Sequence, residues 1–219
     1  MWYLLPHDIQ MYILDFVIPP PMKLLDWIDP EKINWYNLSC NPEAIEMIQK
    51  NLNKINWYSL SKNTAARELL RANPEKLNWF KLSRNPAAIE LLRANLEKIN
   101  WGMLSHNPAA IALLRANQNK ISWIKLSANP AAIELLQANP AKIDWWHLSQ
   151  NPAAIELLRE NPEKIHWCAL SANPAAIELL RENPEKISWG WLSMNTEIFE
   201  PDLMLFKQRN QKLMQLLQL

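Results

Sequence analysis

Eight tryptophans stand 22 residues apart, at Trp35, Trp57, Trp79, Trp101, Trp123, Trp145, Trp167 and Trp189. Around each the chain repeats one phrase, close to Asn-Pro-Ala-Ala-Ile-Glu-Leu-Leu-Arg-Ala-Asn-Pro-Glu-Lys-Ile-Asn-Trp-x-x-Leu-Ser-x. A period this regular specifies a stack of near-identical units rather than a domain closed around one core. No unit can stand alone. Burying one indole removes roughly 150–250 Å² from water, a gross gain of about 4–6 kcal/mol at ~25 cal/mol/Å². Ordering one repeat opposes that with about 30 kcal/mol, so neighbours must stack. The tryptophan is therefore expected to be the main packing element.

The unit from Asn85 to His106 shows the local logic. Asn85 followed by Pro86 is a helix start, an N-cap side chain and then proline where its missing N–H is harmless. At helical spacing Ala88, Ile89, Leu91 and Leu92 cover one apolar arc, with Pro86, Glu90, Arg93 and Ala94 opposite. Glu90 and Arg93 form an i, i+3 pair. Asn95 is expected to end the helix in a left-handed conformation, and the proline that follows this asparagine in other copies disfavours continuation. Asn100 then caps a second, short helix from Trp101, with Ser122, Asp144 and Ser188 as equivalent caps and His166 a weaker one. Trp101, Leu104 and Ser105 share its inner face, where the serine hydroxyl finds a backbone partner.

One valine, Val17, and two threonines, Thr64 and Thr196, leave few residues that favour sheet. The pattern therefore predicts an all-α solenoid of about eight 22-residue two-helix repeats. It spans 30–194, between an N-terminal cap over 1–29 and a C-terminal capping helix within 195–219, from about Asp202 to Leu217. The rival is a leucine-rich-repeat horseshoe, whose unit length is similar. Its strand would need in–out alternation, and the tryptophan falls one place early for that.

Lys and Arg number 23 against 22 Asp and Glu, so no bulk charge drives binding to nucleic acid or an anionic membrane. No run of 18 apolar residues is present, and Met1 to Asp8 lacks a basic leader segment, so a cytoplasmic location is expected. Cys40 and Cys168, about six layers and roughly 60 Å apart at ~10 Å per layer, are expected to be free thiols. His7, His106, His147 and His166 share no metal-ligand spacing, and no phosphate-binding loop or nucleophile elbow occurs. The expectation is no catalytic residue, no metal and no cofactor.

Near-identical copies act as controls for one another. Three positions vary freely: one, two and five residues after each tryptophan. On a helix they share an arc opposite the fixed Trp, Leu and Ser. Stacked, they form a ribbon. Its expected partner-binding residues are Tyr36, Tyr58, Lys62, Phe80, Lys81, Arg84, Met103, His106, Lys125, Trp146, His147 and Trp191. The ribbon is aromatic and basic, without an acid. It suits a protein or peptide partner. Single-stranded nucleic acid, with bases stacked on Tyr36, Tyr58 and Phe80, is the alternative, and unselected surface drift is the plain one. The lysine in every copy (Lys32, Lys54, Lys76, Lys98, Lys120, Lys142, Lys164 and Lys186) is expected to pair with nearby glutamates and to shield apolar surface with its stem.

The tandem Asn-Pro-x-Ala-Ile-x-Leu-Leu…Lys-Ile-x-Trp-x-x-Leu-Ser pattern over residues 30–194 resembles repeats found in proteins of giant DNA viruses. That resemblance implies a viral repeat scaffold acting in the host cell cytoplasm, or a structural or assembly protein of a virus particle. Separately, Leu5, Pro6, Asp8, Ile9, Ile13, Leu14 and Phe16 resemble the first helix of an F-box, although Pro19-Pro20-Pro21 departs from that pattern. The F-box resemblance implies binding to the adaptor subunit of a cullin ubiquitin ligase, with the repeats presenting substrate. A plain solenoid cap is the other reading of the same residues.

Overall fold

The computed structural model describes residues 23–204, 206 and 207. The F-box-like residues Leu5 to Phe16 lie outside the described residues, as does most of the expected C-terminal cap, of which 203, 204, 206 and 207 are helical. The chain divides into two compact units, Met1–Lys120 and Ile121–Leu219. Each is an all-α stack of repeats, and no strand occurs among the described residues. The solenoid expectation holds and the strand-bearing horseshoe falls.

Every complete repeat except the one from Asn63 carries four short elements. In the first unit one such set is the 3-10 turn Pro86–Ala88, the α-helix Ile89–Arg93, the 3-10 turn Leu96–Lys98 and the α-helix Trp101–Leu104. In the second unit Pro152–Ala154, Ile155–Arg159, Pro162–Lys164 and Trp167–Ser171 repeat the order. A helix of a single turn is far below the length that is stable by itself in water. Hydrogen bonds between repeats supply what length does not.

Those bonds come from two buried polar side chains. Asn85 donates its side-chain amide to the carbonyls of Ser61 at 3.2 Å and Asn63 at 3.0 Å, both in the preceding repeat, while its Oδ1 accepts from the Ala87 N–H. Asn63, Asn107, Asn151, Asn173 and Asn195 make the same set. The serine that ends each tryptophan helix works in the other direction. Ser83 donates to the Trp79 carbonyl at 2.7 Å and accepts from the N–H of Asn100 in the next repeat at 3.0 Å. Ser39, Ser61, Ser127, Ser149 and Ser171 do likewise. The Asn-Pro start is thus a cap and an inter-repeat clamp at once.

The core is leucine. Leu60, Leu82, Leu92 and Leu104 in the first unit, and Leu126, Leu136, Leu148 and Leu158 in the second, are fully buried. The tryptophans from Trp35 to Trp167 are only half-buried. This corrects the expectation that the indole is the main packing element. The interior of each layer is filled by the second leucine of Leu-Leu, the leucine of the tryptophan helix and a small alanine such as Ala110 or Ala154. The larger indole lies at the margin, under the lysine of the following repeat. Lys76 stands 5.0 Å from the ring of Trp57, Lys98 5.0 Å from Trp79, Lys142 4.7 Å from Trp123 and Lys186 4.5 Å from Trp167. The stem-shielding role holds; pairing with glutamate does so only at Lys164, 3.8 Å from Glu163.

Two local expectations are also corrected. Asn95 adopts φ −140° and ψ 56° rather than a left-handed conformation. Its side-chain amide reaches back to the Leu91 carbonyl at 2.9 Å, so the helix end is satisfied without positive φ. Asn34, Asn56, Asn78, Asn100 and Asp144 cap their helices through Oδ1, whereas Ser122 and Ser188 make no side-chain cap bond.

Candidate partner-binding surface

The residue after each tryptophan points outward on the first turn of its helix. In the first unit this column holds Tyr36, Tyr58 and Phe80, which are 48%, 40% and 45% exposed. Tyr36 and Tyr58 stack with ring centroids 6.4 Å apart and planes 19° apart. Rings this exposed occupy no core position, so the scaffold does not require them. Gly102 follows in the column and is half-buried.

Cations gather beside these rings. Lys62 and Lys81 hold their ammonium groups 5.4 Å and 5.2 Å from the Tyr58 ring, and Lys81 also stands 5.2 Å from Phe80. Attraction to the negative ring face accounts for their placement. A cleft of about 430 Å³ opens next to them, lined by Lys62, Thr64, Lys81, Arg84, Pro86 and Met103. No carboxylate lines it. Met103 and His106, the next ribbon residues, are half-buried.

The second unit builds a different cluster. Trp146, 36% exposed, meets Trp191 edge-on at 6.3 Å and His147 at 4.8 Å. His166 also packs on Trp146, at 6.4 Å. His147 Nδ1 lies 2.8 Å from the Asp144 carboxylate, which in turn accepts from the His147 backbone N–H at 2.9 Å. Partial burial pushes the Asp144 carboxyl up, but the hydrogen bonds from His147 outweigh it and hold the group below its ordinary value. Lys125 is half-buried. The sequence pattern assigned His166 only to a capping position, and nothing in the spacing signalled its contact with Trp146.

The ribbon is not uniform. Its second column is buried at Ser59 and Ala169 and half-buried at Lys81, Met103, Lys125 and His147. That column runs along the edge between surface and core and is closed over where the residue is small. The accessible features are therefore two patches, an aromatic and cationic one in the first unit and an indole and imidazole one in the second.

No protein-family model, curated protein or solved structure matches the chain. Among the described residues no group of three or more His, Cys, Asp or Glu could hold a metal ion. Among those residues, too, no helix is long and apolar enough to cross a membrane. Cys40 and Cys168 are free and exposed.

Proposed function

We propose that the chain is a non-enzymatic repeat scaffold that binds a protein partner through the residues flanking its tryptophans. One observation carries this reading. Tyr36, Tyr58 and Phe80 are large aromatic side chains held in register on successive helices with nearly half their surface in water. The fold does not use that surface, and exposed aromatics beside cations are the composition of interface centres. The viral-repeat resemblance supports a scaffold, and the F-box-like start supports a substrate receptor for a cullin ubiquitin ligase.

The test compares wild type with a Tyr58→Ala, Phe80→Ala, Arg84→Ala variant as bait in host-cell lysate. Loss of a discrete set of bound proteins, with the circular dichroism spectrum unchanged, supports ribbon recognition; identical protein sets refute it. Co-purification with the ligase adaptor, abolished by Leu5→Ala with Ile9→Ala, tests the receptor role separately.

A further inference from the structure

The cleft between Lys62 and Arg84 carries more than a general surface role. We propose that it is a phosphate-binding pocket, taking a phosphorylated serine or threonine side chain of a partner protein; this rests on the partner-binding reading above. Three cations line it, and none of the three forms an ion pair among the described residues. Lys62 and Lys81 both sit over the single ring of Tyr58, at 5.4 Å and 5.2 Å. Both ammonium groups face one ring with no carboxylate to neutralise them, and an anion bound beside them supplies that neutralisation. A phosphomonoester carries about −1.5 to −2 charge and three acceptor oxygens, which suits three cationic donors better than one carboxylate does.

Thr64 gives an independent indication. Six repeats place proline after the clamp asparagine, at Pro42, Pro86, Pro108, Pro130, Pro152 and Pro174. Thr64 replaces it at the edge of this cleft, as Thr196 does in the last repeat. The replacement supplies a hydroxyl and an N–H where those six repeats have neither, and both are phosphate donors. The flanking aromatics Tyr58 and Phe80 offer surface for residues next to the phosphate.

Single-stranded nucleic acid fits less well. A backbone-tracking groove needs cations that continue along the stack. Here Asn37 and Cys40 precede the cationic positions in their columns, and Met103 follows. The repeat lysines do not extend the track, because they are parked on indoles. The positive charge is therefore a spot rather than a stripe.

The test is fluorescence anisotropy of the full chain with fluorescein-labelled nonapeptide pools, degenerate except for a fixed central residue. One pool fixes phosphothreonine, one threonine and one glutamate; an oligouridylate is the fourth probe. The phosphothreonine pool is expected to bind about tenfold tighter than either other pool, and Arg84→Ala to remove about that factor. Thr64→Pro, which installs the residue its siblings carry, is expected to weaken the phosphothreonine pool severalfold while the thermal midpoint does not fall. Equal binding of the phosphothreonine and threonine pools, or of the phosphothreonine and glutamate pools, overturns the phosphate assignment. So does unchanged binding by Arg84→Ala, or tighter binding of the oligouridylate. If the pools bind alike but Tyr58→Ala with Phe80→Ala weakens them all, ribbon recognition survives without the phosphate pocket. If those aromatic variants change nothing here or in the lysate comparison, both readings fall together.

Discussion

Lys164 places its ammonium 4.8 Å from the centre of the Trp145 ring, in the preceding repeat. The same relationship links Lys142 to Trp123 and Lys186 to Trp167 in the second unit, and Lys54 to Trp35 in the first. Trp189 has no such lysine among the described residues and is 70% exposed. The lysine is therefore a lid on the open face of a half-buried indole. Lys164→Met keeps the stem and removes the charge. It is expected to lower unfolding stability by about 0.5–1 kcal/mol, the range for a partly solvated cation–π contact. Urea titration measures this; Lys164→Ala, which also strips the stem, should be worse and should red-shift the tryptophan emission.

The buried asparagines should be far less forgiving. Asn151 bonds the carbonyls of Ser127 and Asn129 and the N–H of Ala153, at 3.0, 3.1 and 3.0 Å. Asn151→Ala leaves the Ser127 carbonyl and the Ala153 N–H without that partner and takes one of two donors from the Asn129 carbonyl, which also accepts from the Ala132 N–H. The expected loss is about 2 kcal/mol or more, since each orphaned buried group costs ~1–3 kcal/mol. Asn161, whose amide bonds the Leu157 carbonyl within its own helix end at 2.9 Å and whose Oδ1 accepts from exposed Lys164 Nζ at 3.2 Å, is the contrast. Asn161→Ala should cost about 1 kcal/mol, and chemical unfolding of the two variants side by side tests the ranking.

Asp144 ties a cap to pH. Its carboxyl is held below the ordinary 3.8, because hydrogen bonds from the His147 backbone and side chain outweigh the opposing burial. Between the folded and unfolded values the folded chain holds fewer protons, so this stabilisation is complete above the ordinary value. It disappears as pH falls through the depressed one. Asp144→Asn keeps the cap geometry that Asn34, Asn56, Asn78 and Asn100 show in sibling repeats. The stability difference between wild type and Asp144→Asn should therefore shift against wild type as pH falls from the ordinary carboxylate value through the depressed one. Asp144→Ala should cost about 1 kcal/mol at neutral pH through the lost cap. Thermal melts across the acid range read both effects.

Much of this architecture was legible because the period converts each residue type into a column. The helical class, the capping role of Asn100 and its equivalents, the inward serine and the outward Tyr58 all follow from spacing and the helical wheel. The inter-repeat partners do not. Asn85 reads as an ordinary cap, since its bond to the Asn63 backbone carbonyl depends on how one layer is seated on the next. Trp101 reads as the anchor because area favours it, yet a layer only 22 residues deep leaves room inside for leucine and displaces the indole to the rim. The cleft at Lys62 depends on the same stacking geometry. Its one sequence trace is the break in the Asn-Pro phrase at Thr64.

That break also makes a stability prediction. Where proline follows the clamp asparagine, the turn closes tightly: Ala88 N–H to Asn85 carbonyl is 3.1 Å, and Ala110 to Asn107 is 3.0 Å. At Thr64 the equivalent bond, Ala66 to Asn63, lengthens to 3.4 Å, and no 3-10 turn forms there. The Asn63 clamp is nonetheless intact, with its amide 3.1 and 2.9 Å from the Ser39 and Asn41 carbonyls. The scaffold at this point already has the frame that accepts proline in six other repeats. Thr64→Pro should therefore stabilise the chain by about 0.4–1 kcal/mol, chiefly by restricting the unfolded state. A raised denaturation midpoint with an unchanged slope confirms it. A lowered midpoint would show that the second repeat holds its turn in a shape proline cannot enter, and that Thr64 is kept by the fold rather than by the cleft.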